Sequence, residues 1–148
     1  MGEVVAIYVG PKKKELPQPV ERVDAHAGKG LAGNRYYWPD GSAPAGNALT
    51  LIAEEALSVF HQDTGIELTA QASRRNVLTR GIDLNALVGK RFTVGGVECV
   101  GVELCEPCAH LASLTHRSVL RGMVHRAGLN ADILTDGEIA VGDPVTAS

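Results

Sequence analysis

The stretch Arg91-Phe-Thr-Val-Gly-Gly-Val-Glu-Cys-Val-Gly-Val-Glu-Leu104 limits what this chain can fold into more than any other. Two β-type runs flank Gly95-Gly96, and a glycine pair in that position specifies a tight antiparallel hairpin, because glycine reaches the left-handed backbone angles such a turn needs. Sheet structure recurs on either side. Val4–Val9 and Val20–Ala25 are short runs rich in Val and Ile with a Pro/Lys stretch between them, so each is expected as a strand. Asn47–Ile52 and Arg74–Arg80 have the same character. In Asn130–Val145 an Asp136-Gly137 turn between two β-type runs predicts a hairpin that closes a sheet or barrel.

Helical signals are fewer. Ala53–Gln62 carries helix formers with apolar residues at Ala56, Leu57 and Phe60 and stops before Gly65, and Leu84–Leu87 suits one helical turn. Ala27–Asn47 is too rich in glycine for a regular element, yet it holds Tyr36, Tyr37 and Trp38 side by side, a loop composition that often lines a site. Strands and helices do not alternate. The expected fold is therefore mostly β with short helices (α+β), a barrel-like single domain spanning residues 1–148. At 148 residues and 45% hydrophobic, the chain can fill one core.

A net charge of -3 argues against a nucleic-acid surface driven by bulk charge, while leaving room for a local basic pocket that takes a phosphorylated small molecule. The first apolar run has an acid before it and Lys12, Lys13 and Lys14 after it, the reverse of a secretory signal. No segment approaches the roughly 18 apolar residues that span a bilayer. With three cysteines and no export signal, reduced thiols and a cytoplasmic location are expected, without membrane or nucleic-acid partners.

The chemistry-bearing residues centre on Cys105-Glu-Pro-Cys108. Thiolates carry sulfur, hold soft metals or attack electrophiles. The spacing is half of a structural zinc site, but no second CxxC and no paired histidines at zinc-finger spacing follow, although His110 and His116 stand downstream. A thioredoxin-type pair would open a helix in a βαβ unit, whereas a β-hairpin precedes this one. Cys99 and Cys105 suit small buried hydrophobes on a strand, while Pro107 ends the strand and presents Cys108 in a turn. Arg35, Arg74, Arg75, Arg117, Arg121 and Arg126 flank the cysteines. Guanidinium groups converging on one cleft would bind a phosphate or other oxyanion, although a single arginine is usually a surface residue. If Arg74 and Arg75 begin a strand, they face opposite sides. His110, His116 and His125 are acid-base candidates or packing residues. No P-loop, Rossmann, HExxH or GxSxG motif is present.

Three runs together, Arg74–Phe92, Gly101–Cys108 and His125–Pro144, resemble the MOSC domain, the carboxy-terminal domain of molybdenum cofactor sulfurases that also occurs as small stand-alone proteins. Gly30-Leu-Ala-Gly-Asn-Arg-Tyr36 and Leu49–Ala56 resemble the family's earlier motifs, so the likeness covers nearly the whole chain. It implies a barrel-like β fold with an essential cysteine that falls on Cys108, which ligates molybdenum in a bound pterin cofactor (molybdopterin) or carries sulfur for metal-sulfur centres. Arg75 with Asn76 matches the site motif, Arg126 matches a later basic position, and Arg35 lies in the first. Where the family commonly has Gly-Asp-Arg, this chain has Gly33-Asn34-Arg35. The pyridoxal-phosphate desulfurase domain of the long sulfurases is not part of this sequence.

The resemblance and the residues lead to one expected mechanism: Cys108 is a thiolate in an electropositive pocket, with Arg75 and Arg126 lowering its pKa and holding an anionic pterin phosphate. Two functional classes follow. One is a molybdenum-dependent reductase of N-hydroxylated small molecules. The other is a sulfur carrier or cofactor-binding module without turnover, served by a sulfur-donor protein. A third reading is an interaction protein that keeps the fold without the cofactor.

Overall fold

The computed structural model describes residues 2–10, 15–105 and 123–148, and Cys108, His110, His116, Arg117 and Arg121 lie outside them. Eleven strands are described: β1 (Gly2–Val9), β2 (Gln18–Val20), β3 (Arg22–His26), β4 (Gly30–Leu31), β5 (Leu49–Ala53), β6 (Val77–Arg80), β7 (Arg91–Val94), β8 (Val97–Leu104), β9 (Leu129–Ile133), β10 (Gly137–Ala140) and β11 (Pro144–Ala147). Helices α1 (Glu54–Thr64) and α2 (Ala70–Ser73) and a 3-10 turn at Leu84–Leu87 complete them.

Seven strands close into a barrel in the order β11-β7-β8-β9-β5-β6-β1. The last pairing, Gly2↔Val145 and Glu3↔Pro144, joins the two ends of the sheet. Closure removes the exposed edges that an open sheet would carry. β2 lies along the other half of β1, and β10, β3 and β4 form a separate small sheet.

The glycine-pair hairpin forms as the sequence predicts, β7 against β8 with Val94↔Val97 beside the turn and Gly95 at φ 59. The second expected hairpin does not form. β9 pairs with β5 and β8, whereas β10 pairs with β3 in the small sheet. The Asp136-Gly137 turn therefore moves the chain from one sheet to the other, and Asp136 accepts the Ala27 backbone N–H at 2.7 Å instead of closing on its own strand. Closure belongs to β11, after Gly142-Asp143. The run expected as one strand at Val20–Ala25 breaks at Glu21 for the same reason: β2 serves the barrel and β3 serves the small sheet.

The helix expected at Ala53–Gln62 is α1, which ends on Gly65 in the left-handed region at φ 73. β5 and β6 run parallel, with Leu51 opposite Val77. Adjacent residues on these strands face opposite sides. Leu49, Leu51 and Val77 join the large cluster fed by all seven barrel strands, while Ile52 and Leu78 join a second cluster with Phe60, Leu68, Met123 and Ala127. Burial on both faces explains why the apolar residues Leu51, Ile52 and Ala53 follow one another without alternation. The barrel is thus filled, and α1 covers a second, smaller core on its outside.

Candidate functional site

The stretch expected as one strand from Arg74 divides in the structure, because β6 begins only at Val77. Thr69 caps the short helix α2 by accepting the Ala72 N–H, and Arg74 ends it in the left-handed region at φ 65. Arg74 and Arg75 therefore lie ahead of the strand, so strand alternation does not orient them. They diverge through the helix end instead: Arg74 donates to the Glu15 carbonyl at 2.6 Å, and Arg75 Nε donates to the Ala127 carbonyl at 2.9 Å.

Arg75 is half-buried with Nε fixed in this way. Its terminal nitrogens make no hydrogen bond to the described residues, which leaves a guanidinium of set orientation with donors to spare. The backbone it grips, residues 126–128, is also where β8 ends. The Cys105 N–H donates to the Gly128 carbonyl at 2.8 Å. A bulge between Gly101 and Glu103 re-aims this end of β8, and the turn at Leu84–Leu87 packs so close to it that a Cβ on Gly101 would strike the Leu87 carbonyl oxygen. Gly128 is fixed likewise, since its Cβ would meet the Leu51 carbonyl oxygen. Three parts of the sequence motif, Arg75, the Cys105 end of the strand leading to Cys108, and Arg126, thus meet on one turn.

Arg126 pairs with Asp63 on α1 at 3.0 Å, both side chains well exposed. It also lines a cavity of about 420 Å³ between the start of α1, the Gly81–Asn85 turn and residues 125–128. His125 lines it too, in the left-handed region at φ 59, with its carbonyl accepting from Asn85 Nδ2 at 2.9 Å.

Asn76 has a different role. It is buried, and its side chain is committed to backbone and strand. Oδ1 accepts from Thr50 N–H at 3.2 Å and from the Thr50 hydroxyl at 3.1 Å, while Nδ2 donates to the Tyr8 carbonyl at 3.1 Å. It ties β1, β5 and the start of β6 together. The Arg35 guanidinium lies over the Tyr36 ring at 4.4 Å, and the Arg35 backbone N–H donates to the Gly10 carbonyl at 2.8 Å, two residues beyond Tyr8, whose N–H donates to the Asn76 carbonyl. Beside it, Asn34 Oδ1 accepts the Gly10 N–H at 3.0 Å. A carboxylate oxygen would accept the same bond, so the chain's departure to Asn34 keeps an anchor for this loop.

The thiols also separate. Cys99 is fully buried inside the barrel, and burial pushes its pKa up to about 12, so it is a packing residue. Cys105 is half-buried at the strand end. Among the described residues no three His, Cys, Asp or Glu side chains group to hold a metal ion. Sequence spacing does not single out the cavity residues Glu55 and Asp83, because each sits where local structure already explains it, in the first turn of a helix and at the cap of a 3-10 turn.

A family model described as "MOSC domain" matches residues 22–146. No curated protein matches the sequence. Among solved structures, the YuaD protein of Bacillus subtilis superposes with a TM-score of 0.85 at 14% identity, over 99% of this chain and 96% of that one. YiiM of Geobacillus stearothermophilus gives 0.75 at 18%, over 100% of this chain and 75% of that one, and YiiM of Escherichia coli 0.75 at 18%, over 100% and 70%. At these identities the likeness is one of fold.

Proposed function

The chain belongs to the MOSC domain family, and from that membership we propose that it holds the molybdenum cofactor at the turn formed by residues 126–128, with Cys108 as the soft ligand and Arg75 as the group that receives the pterin phosphate. The observation that carries this reading is the Arg75 guanidinium, fixed through Nε on Ala127 O with its terminal donors unspent, next to the strand end that leads to Cys108. A fork-shaped cation of fixed orientation suits a phosphate that accepts two parallel hydrogen bonds.

The described residues provide an anion-binding fork at Arg75, which suits the phosphate of an organic cofactor that carries the metal. When bound, the cofactor would supply oxygen-atom transfer at molybdenum. The chain's own residues would do the rest: Arg75 would anchor the phosphate, Arg126 would add positive charge while sharing Asp63, and Cys108 as thiolate would fix the metal's position. On this reading the protein is a reductase of N-hydroxylated small molecules in the cytoplasm. The alternative is a sulfur carrier, in which the Cys108 thiolate attacks the outer sulfur of a donor protein's persulfide. The new S–S bond makes Cys108 the persulfide, and the donor leaves as a thiolate.

Molybdenum and pterin analysis of protein purified from a molybdenum-replete host separates the two. Stoichiometric metal and pterin, lost in Cys108→Ser and reduced at least tenfold in Arg75→Ala, is the expected result. Metal-free protein that takes up one labile sulfur at Cys108 would establish the carrier instead. If Cys108→Ala changed neither property, both readings would fail.

A further inference from the structure

Among the described residues only two that are not glycine, Arg74 and His125, have positive φ, at 65 and 59, and each immediately precedes an arginine of the site. A left-handed backbone is costly for any residue with a Cβ, so something must hold it. Arg74 is held as a helix end, with its N–H donating to the Gln71 carbonyl at 3.1 Å. His125 is the third residue of the turn 123–126, in which the Arg126 N–H donates to the Met123 carbonyl at 2.9 Å. Turns with positive φ at that position ordinarily carry Gly or Asn there. Here a histidine fills it, and Asn85 Nδ2 donates to the His125 carbonyl at 2.9 Å. Asn85 is itself fixed. Its N–H donates to Asp83 Oδ1 at 3.1 Å, and the 3-10 turn that carries it buries Leu84 and Leu87 in the barrel cluster. The bond therefore ties the turn 123–126 to the barrel. The next two carbonyls along the chain, Ala127 and Gly128, are those that accept from Arg75 Nε and from the Cys105 N–H. Rotation of the His125–Arg126 peptide would swing both.

We propose that Asn85 is a positioning residue of the site: by holding His125 left-handed, it sets the Ala127 carbonyl that aims the Arg75 guanidinium. A fork that must meet a phosphate with two parallel bonds tolerates little misplacement, so its aim matters beyond the stability that one hydrogen bond adds. The aiming of Arg75 stands without a cofactor. Only its effect on cofactor retention rests on the function proposed above.

Asn85→Ala, His125→Gly and the double variant test this on the full chain with two readouts. In metal-free protein, NMR measures how fast the Arg75 Nε–H exchanges with solvent, which reports its bond to Ala127. In protein from a molybdenum-replete host, molybdenum and pterin per chain are measured. With His125 in place, Asn85→Ala is expected to speed the exchange and to lower retention by about fivefold or more each. Glycine takes positive φ without steric cost, so in the His125→Gly background the same substitution is expected to cost less than about twofold in either readout. A residue that only added stability would cost the same in both backgrounds. Asn85→Asp keeps the side chain's size but puts an acceptor where the donor stood, and is expected to match Asn85→Ala. Unchanged Arg75 Nε–H exchange in Asn85→Ala or Asn85→Asp, or equal losses in the two backgrounds, overturns the proposal. Should no form retain molybdenum, the cofactor reading fails while the exchange rates still decide this one.

Discussion

The barrel interior and the outer face beneath α1 are both closely packed, yet they hold different kinds of residue. Inside, seven strands contribute Val, Leu, Ile, Ala and Phe92, and the thiol of Cys99 is sealed among them. Outside, the smaller cluster around Phe60 and Ala127 borders Arg75, Arg126, the cavity and the strand end at Cys105. A filled seven-strand barrel leaves no room for a ligand in its interior, so a ligand would have to bind outside it, where groups such as Arg75 are held. The interior supplies rigidity; the outer face supplies groups that are held but not consumed.

The comparison breaks most easily through volume. Phe92→Ala inside the barrel should cost about 3–5 kcal/mol in urea unfolding, and Phe60→Ala should fall at or below the lower end of that range, because a helix can settle into the gap where a closed barrel cannot. Equal losses would show that the outer cluster is as inflexible as the inner one. Next in size is the contrast between neighbours. Asn76→Ala leaves the Tyr8 carbonyl and Thr50 N–H without their side-chain partner and should cost about 2–3 kcal/mol, whereas Arg75→Ala gives up one bond to Ala127 and should cost about 1 kcal/mol while, on the proposed function, reducing cofactor retention at least tenfold.

Alkaline pH sharpens the distinction between the thiols. Cys99 keeps its proton in the folded state up to about 12, while the unfolded thiol loses it near 9.0. Between those values the unfolded state binds fewer protons, so stability falls as pH rises, by at most about 1.4 kcal/mol per pH unit, and Cys99→Ala should flatten that slope. Folded Cys99 should also resist iodoacetamide at pH 8, with alkylation following only on unfolding. The smallest effect belongs to the surface: Asp63→Ala should change stability by less than about 1 kcal/mol, since its pair with Arg126 is exposed, and a larger loss would mean that the pair braces the turn.

How much was legible in sequence depends on the range of the interaction. The β7–β8 hairpin, α1 with Gly65, the turn at Leu84–Leu87 and the burial of Cys99 all follow from residues a few positions apart, and all appear where expected. Asn130–Val145 fails as a hairpin because its two halves serve different sheets, a fact held in partners such as Asp24 and Leu49 far along the chain. The site divides likewise. Arg75 was legible as a motif residue, but its grip on Ala127 was not. The bond of Asn76 to the Tyr8 carbonyl and the stacking of Arg35 on Tyr36 were not legible either, since each depends on how the chain folds around them.

By itself the sequence determined the strand content, the turn positions and the family likeness, because propensity, alternation and glycine placement act between near neighbours. Tertiary structure alone decided that β11 closes on β1, that β5 and β6 run parallel, and that Arg75 and the Cys105 strand end share one turn. Those contacts join residues dozens to more than a hundred positions apart. No local pattern encodes them; the packing of the whole barrel, and the demand that each buried polar group find a partner, selects them.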